Sequence, residues 1–78
     1  MVPIEVTAKF SSQGLLSPIS FRWQGDELPV VSTGRHWYDE KGFHILVMIP
    51  NEKVYELVFL PGEMQWYLGS LGDYRNTI

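Results

Sequence analysis

The stretch Phe43-His44-Ile45-Leu46-Val47-Met48-Ile49-Pro50-Asn51-Glu52-Lys53-Val54-Tyr55-Glu56-Leu57-Val58-Phe59-Leu60 decides the fold. Its first seven residues are apolar at nearly every position and rich in β-branched side chains. A run this short and this apolar reads as a central strand covered on both faces. Pro50-Asn51-Glu52-Lys53 is a turn, and Val54 to Leu60 returns as a second strand. With Asn51-Glu52 at the centre of that turn, Met48 faces Tyr55.

The same period of two extends in both directions. Val2, Ile4, Val6, Ala8 and Phe10 alternate with Glu5, Thr7 and Lys9, and Ile19, Phe21 and Trp23 alternate with Ser20, Arg22 and Gln24. Side chains two apart share a face of a strand, so each segment is half-buried. Ser11-Ser12-Gln13-Gly14 and Gln24-Gly25-Asp26 are turns. The third strand, Leu28 to Tyr38, changes parity partway, which requires a bulge or bend near Val30–Val31 or Gly34. A two- or four-residue loop around Glu40-Lys41 then sets Trp37 opposite His44 and Arg35 opposite Leu46. Pro61-Gly62 suits the centre of a type II turn before Met64 to Leu68. It places Leu57 opposite Trp66 and Phe59 opposite Met64.

This register gives two apolar faces. One carries Trp37, Leu46, Met48, Tyr55, Leu57, Phe59, Met64, Trp66 and Leu68; the other carries Phe43, Ile45, Val47, Ile49, Val54, Val58 and Tyr67. A flat sheet cannot expose either to water. The expected fold is all-β: a small antiparallel meander of about six strands rolled into a barrel, SH3-like or similar, which also removes open edges. Strand one, the tail or a second copy of the chain would cover the outer face. Residues 1–78 form a single domain, with 69–78 an irregular tail in which Tyr74 is the candidate anchor.

Composition bounds the function. A chain of 78 residues buries about 60–65% of its extended surface, so stability is modest. Apolar residues at 45% and aromatics at 14% exclude a disordered chain. The absence of cysteine excludes disulfides, thiolate metal sites and thiol catalysis, and points to the cytoplasm. Met1-Val2-Pro3-Ile4-Glu5 is not a signal peptide, and no run approaches the roughly 20 apolar residues of a membrane helix. The net charge of −3 and the scattered Arg22, Arg35, Lys9, Lys41, Lys53 and Arg75 disfavour nucleic acid as a partner.

Catalytic patterns are weak. His36 and His44, the only histidines, fall on opposite faces in an even register and do not converge on a metal, a conclusion that a three-residue loop would reverse. The acids Asp26, Glu27, Asp39, Glu40, Glu52 and Glu63 sit beside turns, where carboxylates cap backbone N–H groups. Glu56 stands apart, inside a strand between Val54 and Val58; with His44 it is the candidate for a pocket in the barrel mouth. Neither a nucleophile elbow nor a phosphate-cradling glycine loop is present. No cofactor or metal is implied, and the enzyme reading is the weakest of three. The aromatic–arginine set is the better candidate: Arg22, Arg35, His36 and Trp37 form the expected binding surface, with Trp23 and Trp66 assigned to the core.

The ordered string Pro18-x-x-Phe21-x-Trp23-x-Gly25, then Val30, Trp37, Tyr55-x-Leu57 and Trp66-x-Leu68, resembles an uncharacterised family of small all-β domains in actinobacterial and related proteins. A similar segment lies near the C-terminus of the inactive Y-family polymerase-like component of the damage-induced mutagenesis system. The resemblance spans Pro18 to Tyr74. Leu28 replaces an aromatic, and Glu52-Lys53-Val54 stands where the family often has a glycine. The resemblance implies an accessory or interaction module linked to DNA repair and carries no catalytic residues. The first expectation is a non-enzymatic module that binds a protein partner or itself; a nucleic-acid accessory domain and a small-ligand pocket are the alternatives.

Overall fold

The computed structural model describes residues 1–69; the tail expected at 69–78, with Tyr74, lies outside the described residues except for Gly69. Seven strands form: β1 (Val2–Phe10), β2 (Leu16–Trp23), β3 (Asp26–Pro29), β4 (Ser32–Tyr38), β5 (Phe43–Ile49), β6 (Lys53–Leu60) and β7 (Gln65–Leu68). All pair antiparallel in one sheet of order β3-β2-β1-β7-β6-β5-β4, curled into a half-barrel. β3 and β4 are the two halves of the expected third strand. Taken as one, they leave a six-stranded up-and-down meander whose last strand pairs with its first.

The break comes at Val30–Val31. Val30 donates its N–H to Ile19 O of β2, and the next residue donates to Met48 O of β5, at 2.9 and 2.8 Å. One strand thus changes partners within two residues and draws the two sides of the sheet together. A second irregularity falls where the parity change requires it. Thr33 pairs with Val47 but His36 with Ile45, so Gly34 and Arg35 together oppose Leu46. The extra residue restores Trp37 to a position opposite His44.

The interior is built from Ile4, Phe21, Phe43, Ile45, Val47, Ile49, Leu57 and Leu68, flanked by Trp23, Leu28, Tyr55, Phe59 and Trp66. Tyr55 meets Phe21 edge-to-face at 5.5 Å, and Phe59 tilts against Trp66 at 5.1 Å. Trp23 and Trp66 therefore pack against the core.

Two loop lengths correct the expected faces. Between β5 and β6 the chain makes a 3₁₀ turn over Pro50–Glu52, with Asn51 and Glu52 at φ 74° and 61°. The loop is odd-numbered, so Met48 faces Val54 and Val47 faces Tyr55. A slip of one residue reverses every side chain relative to the neighbouring strand. Phe43, Ile45, Val47 and Ile49 thus join Tyr55, Leu57 and Phe59 inside, whereas Leu46 and Met48 join Val54 and Val58 outside. Between β6 and β7 the loop is Pro61–Met64, with Met64 rather than Gly62 at positive φ. Leu57 faces Leu68 and Phe59 faces Trp66, a shift of two residues that keeps the expected face.

The outer face is covered as well, since Leu46, Val54 and Val58 are all buried. β1 does not cover it, because β1 lies in the sheet between β2 and β7 and turns Ile4 inward. No helix among the described residues is long and apolar enough to cross a membrane.

Candidate functional site

Three loops and strands converge on His44 at the outer face of the β4–β5–β6 sheet. The turn Asp39–Gly42 closes β4 onto β5 with a two-residue loop: Asp39 N–H donates to Gly42 O and Gly42 N–H to Asp39 O, at 3.0 and 3.2 Å. Gly42 sits at φ 149°, and a Cβ there would stand 2.3 Å from the carbonyl oxygen of Phe59. Only glycine fits between the hairpin tip and β6. The Asp39 carboxylate folds back over the loop, and its Oδ1 accepts from Lys41 N at 2.8 Å and Gly42 N at 3.2 Å.

That same Oδ1 lies 2.9 Å from His44 Nε2. On the other side of the ring, Nδ1 lies 2.7 Å from Glu56 Oε2. Glu56 reaches it diagonally, because His44 pairs with Val58 and Leu46 with Glu56 across β5 and β6. Gly69 makes room for the carboxylate: its N–H donates to Glu56 O at 2.8 Å, and a Cβ on it would come within 2.8 Å of Glu56 Cδ and Oε1. Trp37 lies flat over the imidazole, with ring centroids 5.0 Å apart and planes inclined by 9°.

The side chains of His44, Glu56 and Asp39 are 8%, 12% and 42% exposed. A neutral imidazole has one N–H and one lone pair, so between two carboxylates it must turn that lone pair on an anion. The geometry therefore fits the imidazolium, which donates on both sides. Burial lowers the His44 pKa, but its hydrogen bonds to the Glu56 and Asp39 carboxylates and their charge outweigh that, leaving it above the ordinary 6.5. The hydrogen bond from His44 holds Asp39 below its ordinary 3.8, helped by the Lys41 and Gly42 N–H groups and opposed by desolvation.

This arrangement leaves His44 little chemistry. Both nitrogens are engaged, so neither is available as a general base in this state. His44 stands between the carboxylates instead of beside them. Among the described residues no three His, Asp or Glu side chains are placed to hold a metal ion.

The other expected residues are dispersed. His36 is exposed, opposite Ile45, with its ring 5.9 Å from Phe43, so it stands apart from the His44 cluster. Arg35 occupies the bulge and is exposed. Arg22 does not join them. It lies on β2 between two acids, 3.6 Å from Glu5 and 3.1 Å from Glu27. The sequence grouped Glu56 with His44 as pocket candidates, without a contact between them, and left Asp39 out. The expected register put Glu56 opposite Val47, on the far side of the sheet.

Among the described residues, two hollows open on the surface. One of about 430 Å³ lies between the hairpin tips, against Tyr38, Asp39, Lys41, Pro61 and Glu63. The other, about 240 Å³, lies where β3 parts from the β5–β6 turn, against Trp23, Leu28, Asn51 and Tyr55. Neither is lined by His44 or Glu56, the expected pocket residues. No family model, curated protein or solved structure matches the chain.

Proposed function

We propose that the domain is a non-enzymatic interaction module that docks an extended segment of a protein partner, or of a second copy, against the edge of β4. The observation that carries this reading is the contrast between the two sheet edges. β3 is four residues long and contains Asp26, Glu27 and Pro29, the features that discourage strand addition. β4 ends the sheet on the other side, runs for seven residues, and contains no proline and one charged residue, Arg35. Five of its seven residues are exposed, whereas β5 beside it is buried at all but Met48. Such an edge offers main-chain hydrogen bonds for affinity and Arg35, His36 and Tyr38 for selectivity.

The engagement of both His44 nitrogens supports the non-enzymatic part of the reading. The pairing of Arg22 with Glu5 and Glu27 removes a cation from any nucleic-acid surface and gives that alternative no support. A cytoplasmic setting suits a chain without disulfides.

The test is selection of displayed random peptides on the immobilised domain, alongside sedimentation of the pure protein over a wide concentration range. Enriched peptides, or a dimer, should be lost in an Arg35→Asp/His36→Asp variant that keeps the wild-type circular dichroism. No enrichment together with a strict monomer would sink the reading.

A further inference from the structure

We propose that Asp39, His44 and Glu56 form a proton-operated latch that sets the order of the β4 edge: the protonated ring ties the β4–β5 hairpin tip to β6, and loss of its proton frees the Asp39 end. As a control on partner binding this rests on the reading of β4 as the docking edge, although the latch itself does not.

The bond to Asp39 is the one that yields. Glu56 sits within a strand, nearly buried, with its backbone carbonyl held by Gly69. Asp39 sits at a solvent-facing turn and is exposed enough to rotate toward water. When the ring becomes neutral, its remaining N–H can serve one carboxylate, and its lone pair repels the other. The N–H therefore stays with Glu56, whose carboxylate has less access to water. Asp39 then loses its tie to the sheet, and Trp37 loses the cation beneath its ring. Since Trp37 belongs to β4 and Asp39 follows directly after it, the change falls on the open edge.

Among the described residues, the hairpin tip brings Asp39, Glu40 and Lys41, and β6 brings Glu56. β5 itself places Leu46 beside His44 on this face. Trp37 faces the ring from β4. From β7, Tyr67 is opposite Val58 with its hydroxyl committed to Glu63. Glu56 also makes an interaction beyond His44.

The experiment is an NMR titration of the full chain, following the His44 ring, the Trp37 indole and amide-exchange protection in β4 and the 39–42 turn. The Trp37 signals should move with the His44 midpoint. Protection in the turn should fall above it, by about tenfold for each unit by which the closed-state pKa exceeds the open-state one. Asp39→Asn keeps the turn acceptor for Lys41 and Gly42 while removing the charge; it should lower the midpoint and abolish the coupled loss of protection. A His44 titration that leaves Trp37 and turn protection unchanged would overturn the latch, as would an Asp39→Asn variant that behaves like wild type. Peptides from the selection are then measured on both sides of the midpoint. Equal affinity on both sides, with the latch operating, overturns the regulatory link. A working latch with no peptide bound at either pH overturns the docking reading and with it that link.

Discussion

Replacing Gly42 with alanine is the most demanding perturbation of this fold, because one methyl group meets main chain on a neighbouring strand. The new Cβ would stand 2.3 Å from Phe59 O, 3.2 Å from Phe59 C and 3.3 Å from Leu60 Cα. No side chain can swing away, so β6 must move or the turn must open. The backbone at φ 149° adds conformational strain of about 1–3 kcal/mol. Forcing the added carbon against packed backbone adds about 1–3 kcal/mol more. The combined loss is roughly 2–6 kcal/mol, against a total of about 4–12 kcal/mol for a chain of 78 residues. Urea unfolding followed by tryptophan fluorescence measures it directly, and the melting point should drop by about 4–8 °C per kcal/mol. Gly62→Ala is the control: it meets nothing within 4 Å and has no positive φ. It should change stability by less than about 1 kcal/mol in either direction. If Gly42→Ala unfolds within about 1 kcal/mol of wild type, Phe59 and Gly42 do not approach as described. The anchoring of the hairpin tip would then need another explanation.

The His44 cluster makes stability depend on pH in two directions. The raised His44 pKa contributes stability that is complete below 6.5 and is lost as pH rises through the folded value. The lowered Asp39 pKa contributes stability present above 3.8 and lost as pH falls through its folded value. Urea midpoints should therefore be highest in mildly acidic solution, and the alkaline decline should vanish in His44→Phe; a decline that survives this change has another source. Leu57→Ala, at a fully buried position, should cost about 2–5 kcal/mol, and a loss under 1 kcal/mol would contradict its place in the core. Arg22→Ala removes exposed ion pairs and should cost about 0–1 kcal/mol by the same unfolding assay. Tyr67 donates to Glu63 at 2.7 Å, which raises its pKa above 10.0. Ultraviolet titration of Glu63→Gln should show one tyrosine ionising at lower pH than in wild type, and an identical curve would remove that contact.

Much of the fold could be read locally because strand periodicity and turn chemistry are local properties. The alternation from Val2 to Phe10 marks β1 without help from the rest of the chain. The parity change between Leu28 and Tyr38 announces a break, and both places named for it are used, at Val30–Val31 and at Gly34–Arg35. Around Glu40-Lys41, a turn with Asp before and Gly after holds a two-residue loop and aligns Trp37 with His44. Pro50-Asn51-Glu52-Lys53 was harder. Asn and Glu both adopt positive φ there, and the loop takes three residues instead of two or four. That one residue reversed the assigned faces of β5 against β6 and separated His44 from Glu56 on paper.

The sequence by itself determined the all-β class, the strand positions and the double-sided burial of β5. These follow from side-chain period, apolar run length and turn residues, each set within a few positions of the chain. Only the tertiary structure decided which faces met, where β1 entered the sheet, and that β4 ends the sheet among the described residues. It alone brought Asp39 and Glu56 to opposite sides of one imidazole. Such a cluster depends on the register of two hairpins at once, and a register changes face with the addition of a single loop residue.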